Sequence, residues 1–144
     1  MTDGDRRPPL PAESPYKSVG GFSRIANALR YSLRGLVQAV RVESAFRQEL
    51  ILAAVLVPSA VLLRLPALET VVLISAVMLV LIVELINSSI EAAIDRISFD
   101  HHRLSGRAKD LGSAAVFLAL LLCAMTWALV AGPTVLVLLT HVAS

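Results

Sequence analysis

Charge is missing from most of this sequence. No Asp, Glu, Lys or Arg occurs from Leu50 to Leu63, from Thr70 to Val83 or from Leu111 to Thr140. Runs of that kind exclude an ordinary soluble domain, whose surface helices alternate polar and apolar faces. A hydrophobic share of 56% and a mean hydropathy of +0.74 point the same way for the whole chain. Cysteine is almost absent as well. Cys123 stands alone inside an apolar run, so an intramolecular disulfide is excluded and a buried structural thiol is expected. The seven glycines never fall into GxxxxGK(S/T), GxGxxG or a protein-kinase glycine loop, and GxSxG and HExxH are missing too. Any nucleotide site would have to be assembled from helix ends and side chains.

The charge that is present is unevenly placed. Eight of the thirteen basic residues precede position 50, and only Arg64 falls between there and Arg96. Such clustering suits an anionic membrane surface or a phosphate-bearing ligand. It does not suit nucleic acid, because the basic residues are interleaved with a regular apolar stripe. The first twenty residues carry four prolines and scattered charge with no apolar core, which predicts a disordered cytosolic tail over 1–20. From Phe22 to Val40 the apolar residues Phe22, Ile25, Ala26, Leu29, Leu33, Leu36, Val37 and Val40 keep helical spacing, while Arg24, Arg30, Arg34 and Arg41 hold the other face. A basic amphipathic helix in the membrane interface is expected there.

Three spans follow, near Gln48–Leu63, from Thr70 onward and from Leu111 onward, with Pro58 expected to kink the first. The fold class predicted is an all-α membrane protein of three transmembrane helices behind an amphipathic interfacial helix. A short turn, Arg64 to Glu69, joins the first two spans, and a basic cytosolic loop, Arg96 to Asp110, joins the last two. The Arg/Lys bias places the amino terminus and that loop in the cytosol. The domain proper is read as 21–131, with 132–144 as a C-terminal tail that is interfacial or periplasmic. Three spans enclose little interior, so self-association is expected, with Ser88, Ser89, Ala92 and Ala93 offering close helix approach.

The second span carries the chemistry. Glu84, Asn87, Ser88, Glu91 and Asp95 stand three, four, seven and eleven apart on one helical face. A charged residue near the bilayer centre costs about 2.5–3.5 kcal/mol on insertion scales, so an acid at Glu84 calls for a role. Desolvation there suits proton transfer; the competing role is to glue an oligomer by interhelical hydrogen bonds. Outside the bilayer, Glu43 and Glu49 flank the entry to the first span, and the loop supplies Asp100, His101, His102, Arg107, Lys109 and Asp110. Glu43 and Glu91 could share a magnesium ion, which accepts few protein ligands and keeps waters and phosphate oxygens. Lys109 and the arginines could neutralise phosphates.

Four strings carry a resemblance. VELINSSIEAAIDRI (Val83 to Ile97), LSGRAKDLGSAAV (Leu104 to Val116), GFSRIANALRYSLRGL (Gly21 to Leu36) and ESAFRQE (Glu43 to Glu49) resemble, in order and spacing, the bacterial integral-membrane diacylglycerol kinases, a family that includes undecaprenol kinases. The resemblance covers about Gly21 to Val130. It implies a homotrimer in the bacterial inner membrane that transfers phosphate from ATP to the lipid, with magnesium as cofactor. By motif, Glu84 would be the general base, and Glu43 and Glu91 would hold the metal. Arg24, Tyr31, Glu43, Glu91, Asp100, His101, His102, Lys109 and Asp110 would contact ATP. Arg24, Ala28, Ser32, Glu84, Asn87 and Ser113 would line the lipid site. The sequence departs from the family pattern at Leu29, at Leu33 and in the loop string FDHH. The other readings are a polyprenol acceptor on the same architecture and, from another class, a non-enzymatic oligomeric channel using Glu84. A channel has no need of Glu43, Lys109 and Asp110 beside Glu91.

Overall fold

A computed structural model describes residues 21–97 and 102–143. The described residues form five helices and no strand: α1 Gly21–Val42, α2 Ser44–Leu62, α3 Ala67–Ile97, α4 Arg103–Val130 and α5 Gly132–Ala143. The expected tail over 1–20 lies outside the described residues. Residues up to Leu36 form one unit and those from Val37 a second. In the first, Ile25, Leu29, Leu33 and Leu36 are all exposed, and Arg30 lies 5.7 Å from the centre of the Tyr31 ring.

One residue separates α1 from α2. Glu43 is extended (φ −90, ψ 114), yet its N–H still donates to the Ala39 carbonyl at 2.9 Å. The Arg47 guanidinium donates back to the carbonyls of Val40 and Arg41, both at 3.3 Å. That satisfies acceptors which a helix end leaves open. Pro58 sits within α2, and the helix runs past it to Leu62. The turn into α3 occupies Leu63 to Pro66, with Arg64 left-handed at φ 52. A side chain in that conformation costs about 1–2 kcal/mol, and it is what reverses the chain so tightly.

The 31 residues of α3 rise about 46 Å, well beyond the roughly 30 Å of a hydrocarbon core. A helix of that length can project beyond the lipid, and four of its five charged residues lie from Glu84 onward. The expected loop from Arg96 to Asp110 is shorter than the sequence indicated. α3 continues to Ile97 and α4 begins at Arg103, so Lys109 and Asp110 stand on a helix. Hydropathy marks where a helix enters lipid, not where it starts. His102 is the N-cap, its Nδ1 accepting from the Leu104 N–H at 3.2 Å.

α3 is the central helix, packing against both α2 and α4. One apolar cluster holds Ala53, Ala76, Val77, Val80, Ala119 and Cys123; the other holds Ala60, Leu73 and Ala131. Alanines dominate because small side chains let helix backbones approach when lipid is as apolar as leucine. Large residues such as Leu62, Leu68, Phe117 and Leu129 point outward. α2, α3 and α4 are each long and apolar enough to cross a membrane.

Candidate active site

The central helix ends in an acidic face, and the packing of its neighbours turns that face into a cleft. Among the described residues, Glu84 and Asn87 are the buried polar ones, 4% and 8% exposed. They line an open cavity of about 360 Å³ together with Glu43, Ser44 and Ala45 from the start of α2, Glu91 from α3, and Ser113 and Val116 from α4. Three separate helices thus contribute, and the spacing of Glu84, Asn87 and Glu91 by three and four residues keeps them in register along one wall.

Asn87 organises that wall. Its Nδ2 donates to Glu91 Oε1 at 3.2 Å, while its Oδ1 is buried without a hydrogen-bond partner. Gly112 is what admits it. A Cβ built at Gly112 would collide with Asn87 Oδ1 and Cγ, so a larger residue there requires the Asn87 side chain to move. Beyond the cleft, Lys109 Nζ donates to Asp95 Oδ1 at 2.6 Å, both side chains being about half exposed. The pair joins the two helices across residues 98–102. Glu49, one and a half turns after Glu43, turns to a different place. Its Oε2 is buried and unpartnered, beside a water-sized hole of about 20 Å³ lined by Leu52, Leu56, Val77, Val80, Leu81, Leu120 and Cys123.

Of the residues singled out from sequence, Glu43, Glu84, Asn87, Glu91 and Ser113 come together in one cleft. Lys109 and Asp110 stand two turns into α4, His102 caps it, and Asp100 and His101 lie outside the described residues. Arg24, Ala28, Tyr31 and Ser32 share one side of α1 in the first unit, all exposed. Sequence reading missed Gly112 and did not pair Asp95 with Lys109. The spacing of small residue and amide on two helices could not reveal the first without their relative register. Among the described residues no three His, Cys, Asp or Glu side chains converge as a self-sufficient metal site. The pair Glu43 and Glu91 on one cleft still fits magnesium, which takes one or two carboxylates and fills its shell with phosphate oxygens and water.

A helical membrane protein with three carboxylates and an amide on one cleft is the class that this fold and site define. Comparison with known proteins makes it particular. The family model described as prokaryotic diacylglycerol kinase matches residues 30–131. The chain is 50% identical over 115 residues to a protein named diacylglycerol kinase from Pseudomonas aeruginosa, covering 80% of this chain and 94% of that one. It is 51% identical over 107 residues to one from Escherichia coli K12, covering 74% and 88%. With one from Haemophilus influenzae it shares 45% over 112 residues, covering 78% and 94%. The chain belongs to the prokaryotic diacylglycerol kinase family.

Proposed function

We propose that this protein transfers the γ-phosphoryl group of ATP to the primary hydroxyl of diacylglycerol, giving phosphatidic acid and ADP at the cytosolic face of the inner membrane. The observation that carries this reading is a buried carboxylate, Glu84, in a cleft that also holds Glu43 and Glu91. Glu84 lies about 10 Å of helix rise from Glu91 toward the lipid. A lipid hydroxyl reaches the cleft from the bilayer side and a nucleotide from the water side. Glu84 accepts the hydroxyl proton as that oxygen attacks the γ-phosphorus, and the bond from phosphorus to the bridging oxygen breaks to release ADP. Phosphoryl transfer of this kind needs positioning and charge neutralisation more than covalent help from the protein.

Glu43 and Glu91 would hold magnesium, which supplies positive charge to the phosphate oxygens. Asn87 holds Glu91 in place through the bond described above. Arg24, Tyr31, Asp100, His101, His102, Lys109 and Asp110 are assigned to ATP, and Arg24, Ala28, Ser32, Asn87 and Ser113 to the lipid, on the family motif. The arginine-rich segments support a cytosolic amino terminus. A homotrimer supplies the protein surface that three thin spans lack.

Labelled ATP with the purified protein in mixed micelles tests the reading. Diacylglycerol should be the preferred acceptor over undecaprenol, and label appearing only on the polyprenol would overturn the assignment of substrate. The metal assignment carries its own signature. Glu43→Gln and Glu91→Gln should each raise the magnesium concentration needed for half-maximal activity, because one negative ligand is lost from the ion. Unchanged magnesium titrations in both variants would take these residues out of the metal site.

A further inference from the structure

α5 has no part in the cleft and begins where the family match ends, at residue 131. It is 12 residues of GPTVLVLLTHVA, without a single Asp, Glu, Lys or Arg. Leu136, Val137, Leu138 and Leu139 are consecutive and all more than half exposed. Four consecutive residues point around the whole circumference of a helix. Thr134, Thr140 and His141 interrupt that surface, and the remaining side chains of α5 are apolar, which suits contact with lipid.

Where α5 starts decides where it can go. Leu111 to Val130 already rises about 30 Å, the thickness of a hydrocarbon core. Ala131 packs in a layer with Ala60 and Leu73. The charged residues of the α2–α3 hairpin lie one turn further out: Arg64 is four residues after Ala60, and Glu69 is four before Leu73. That is about 6 Å of helix rise, so α5 begins beneath the polar boundary on the side opposite the acidic cleft. Continued straight, its roughly 18 Å would carry Leu136 to Leu139 past that boundary into water. Gly132 and Pro133 stand at its start, where Pro133 has no N–H to continue the α4 ladder and Ala131 is the one residue between the two helices.

The polar side chains of α5 behave as those within the spans do. Thr140 Oγ1 donates to the Val137 carbonyl at 2.9 Å, and His141 Nδ1 lies 2.9 Å from the same oxygen. Ser59 and Thr126 donate in the same way to Val55 and Leu122, both at 2.8 Å. Thr140 and His141 thus each direct one bond to their own helix, which lowers the cost of placing them near lipid.

We propose that α5 is a membrane anchor added to the kinase core, lying along the lipid interface on the face opposite the cleft, with lipid acyl chains as its partner. The chain has one tryptophan, Trp127, which makes fluorescence a direct test. In a Trp127→Phe background, single tryptophans are placed at Leu136, Val137, Leu138 and Leu139 of the full-length protein. Each is reconstituted in phosphatidylcholine vesicles carrying bromine at shallow or deep acyl positions, and phosphorylation of diacylglycerol verifies the fold of each. All four should emit at short wavelength, lose most of their intensity to shallow bromines, lose less to deep ones, and resist iodide. Long-wavelength emission quenched by iodide would put α5 in water and overturn the proposal. Quenching that deepens steadily from Leu136 to Leu139 would make it re-entrant. Short-wavelength emission untouched by any brominated lipid would mean that protein covers it. Either of these also overturns the proposal. None of these outcomes bears on the acceptor preference, which the micelle assay decides separately.

Discussion

Glu84→Gln is expected to lower turnover by about 10²–10⁴-fold, the usual cost of removing a general base. In barrier height that is about 2.7–5.4 kcal/mol. Glutamine keeps the shape of the side chain and one acceptor oxygen, so the packing of α3 should survive at a position only 4% exposed. What it removes is the capacity to take up a proton. Binding of MgATP should change little, because Glu84 stands two turns of α3 away from Glu91 and is not one of the proposed metal ligands. Turnover and nucleotide affinity therefore separate in this variant, whereas a structural role would damage both. Retention of more than half the wild-type activity would make Glu84 a structural acid and return the channel reading to consideration.

Gly112→Ala should be nearly as damaging, for a steric reason. The new methyl group would occupy the space of Asn87 Oδ1. Either Asn87 rotates and its bond to Glu91 breaks, or α3 and α4 move apart. Overpacking of this sort costs about 1–3 kcal/mol, visible as a lower midpoint of thermal or denaturant unfolding in mixed micelles. A second substitution identifies the cause. In Gly112→Ala/Asn87→Ala the clash is gone, so the double variant should be more stable than the sum of the single losses by about 0.5–3 kcal/mol. Strict additivity would show that the two residues do not meet in the membrane-embedded protein.

These two tests also separate what the sequence discloses from what it does not. Glu84, Asn87 and Glu91 are legible because helical periodicity alone puts them on one face, and because acids inside an apolar run stand out. That Glu43 and Ser113 join them was suggested by motif and needed the packing of α2 and α4 to become geometry. Gly112 was invisible, since a glycine in a helix looks like a weakness until the facing amide is known. The Asp95–Lys109 pair was hidden for a similar reason: its members lie 14 residues apart on two helices, and the intervening segment was read as a longer loop. The start of α4 at Arg103 is not legible, because hydropathy reports solvent and the helix begins before its apolar stretch does.

The size distribution of the buried residues has a consequence for how this chain tolerates change. Among the described residues, Phe46 and Leu73 are the only large apolar side chains in the interior, whose other buried hydrophobic residues are alanine, valine and one cysteine. Leucine and isoleucine face the lipid, where one branched hydrocarbon serves as well as another. Substitutions among Leu, Ile, Val and Met should therefore drift freely over the outer surface. At Ala60, fully enclosed, a single added methylene has nowhere to go. The familiar rule of a conserved greasy centre and a variable rim is inverted by residue size: small residues here are the constrained ones, and bulky residues are the interchangeable filling between protein and bilayer.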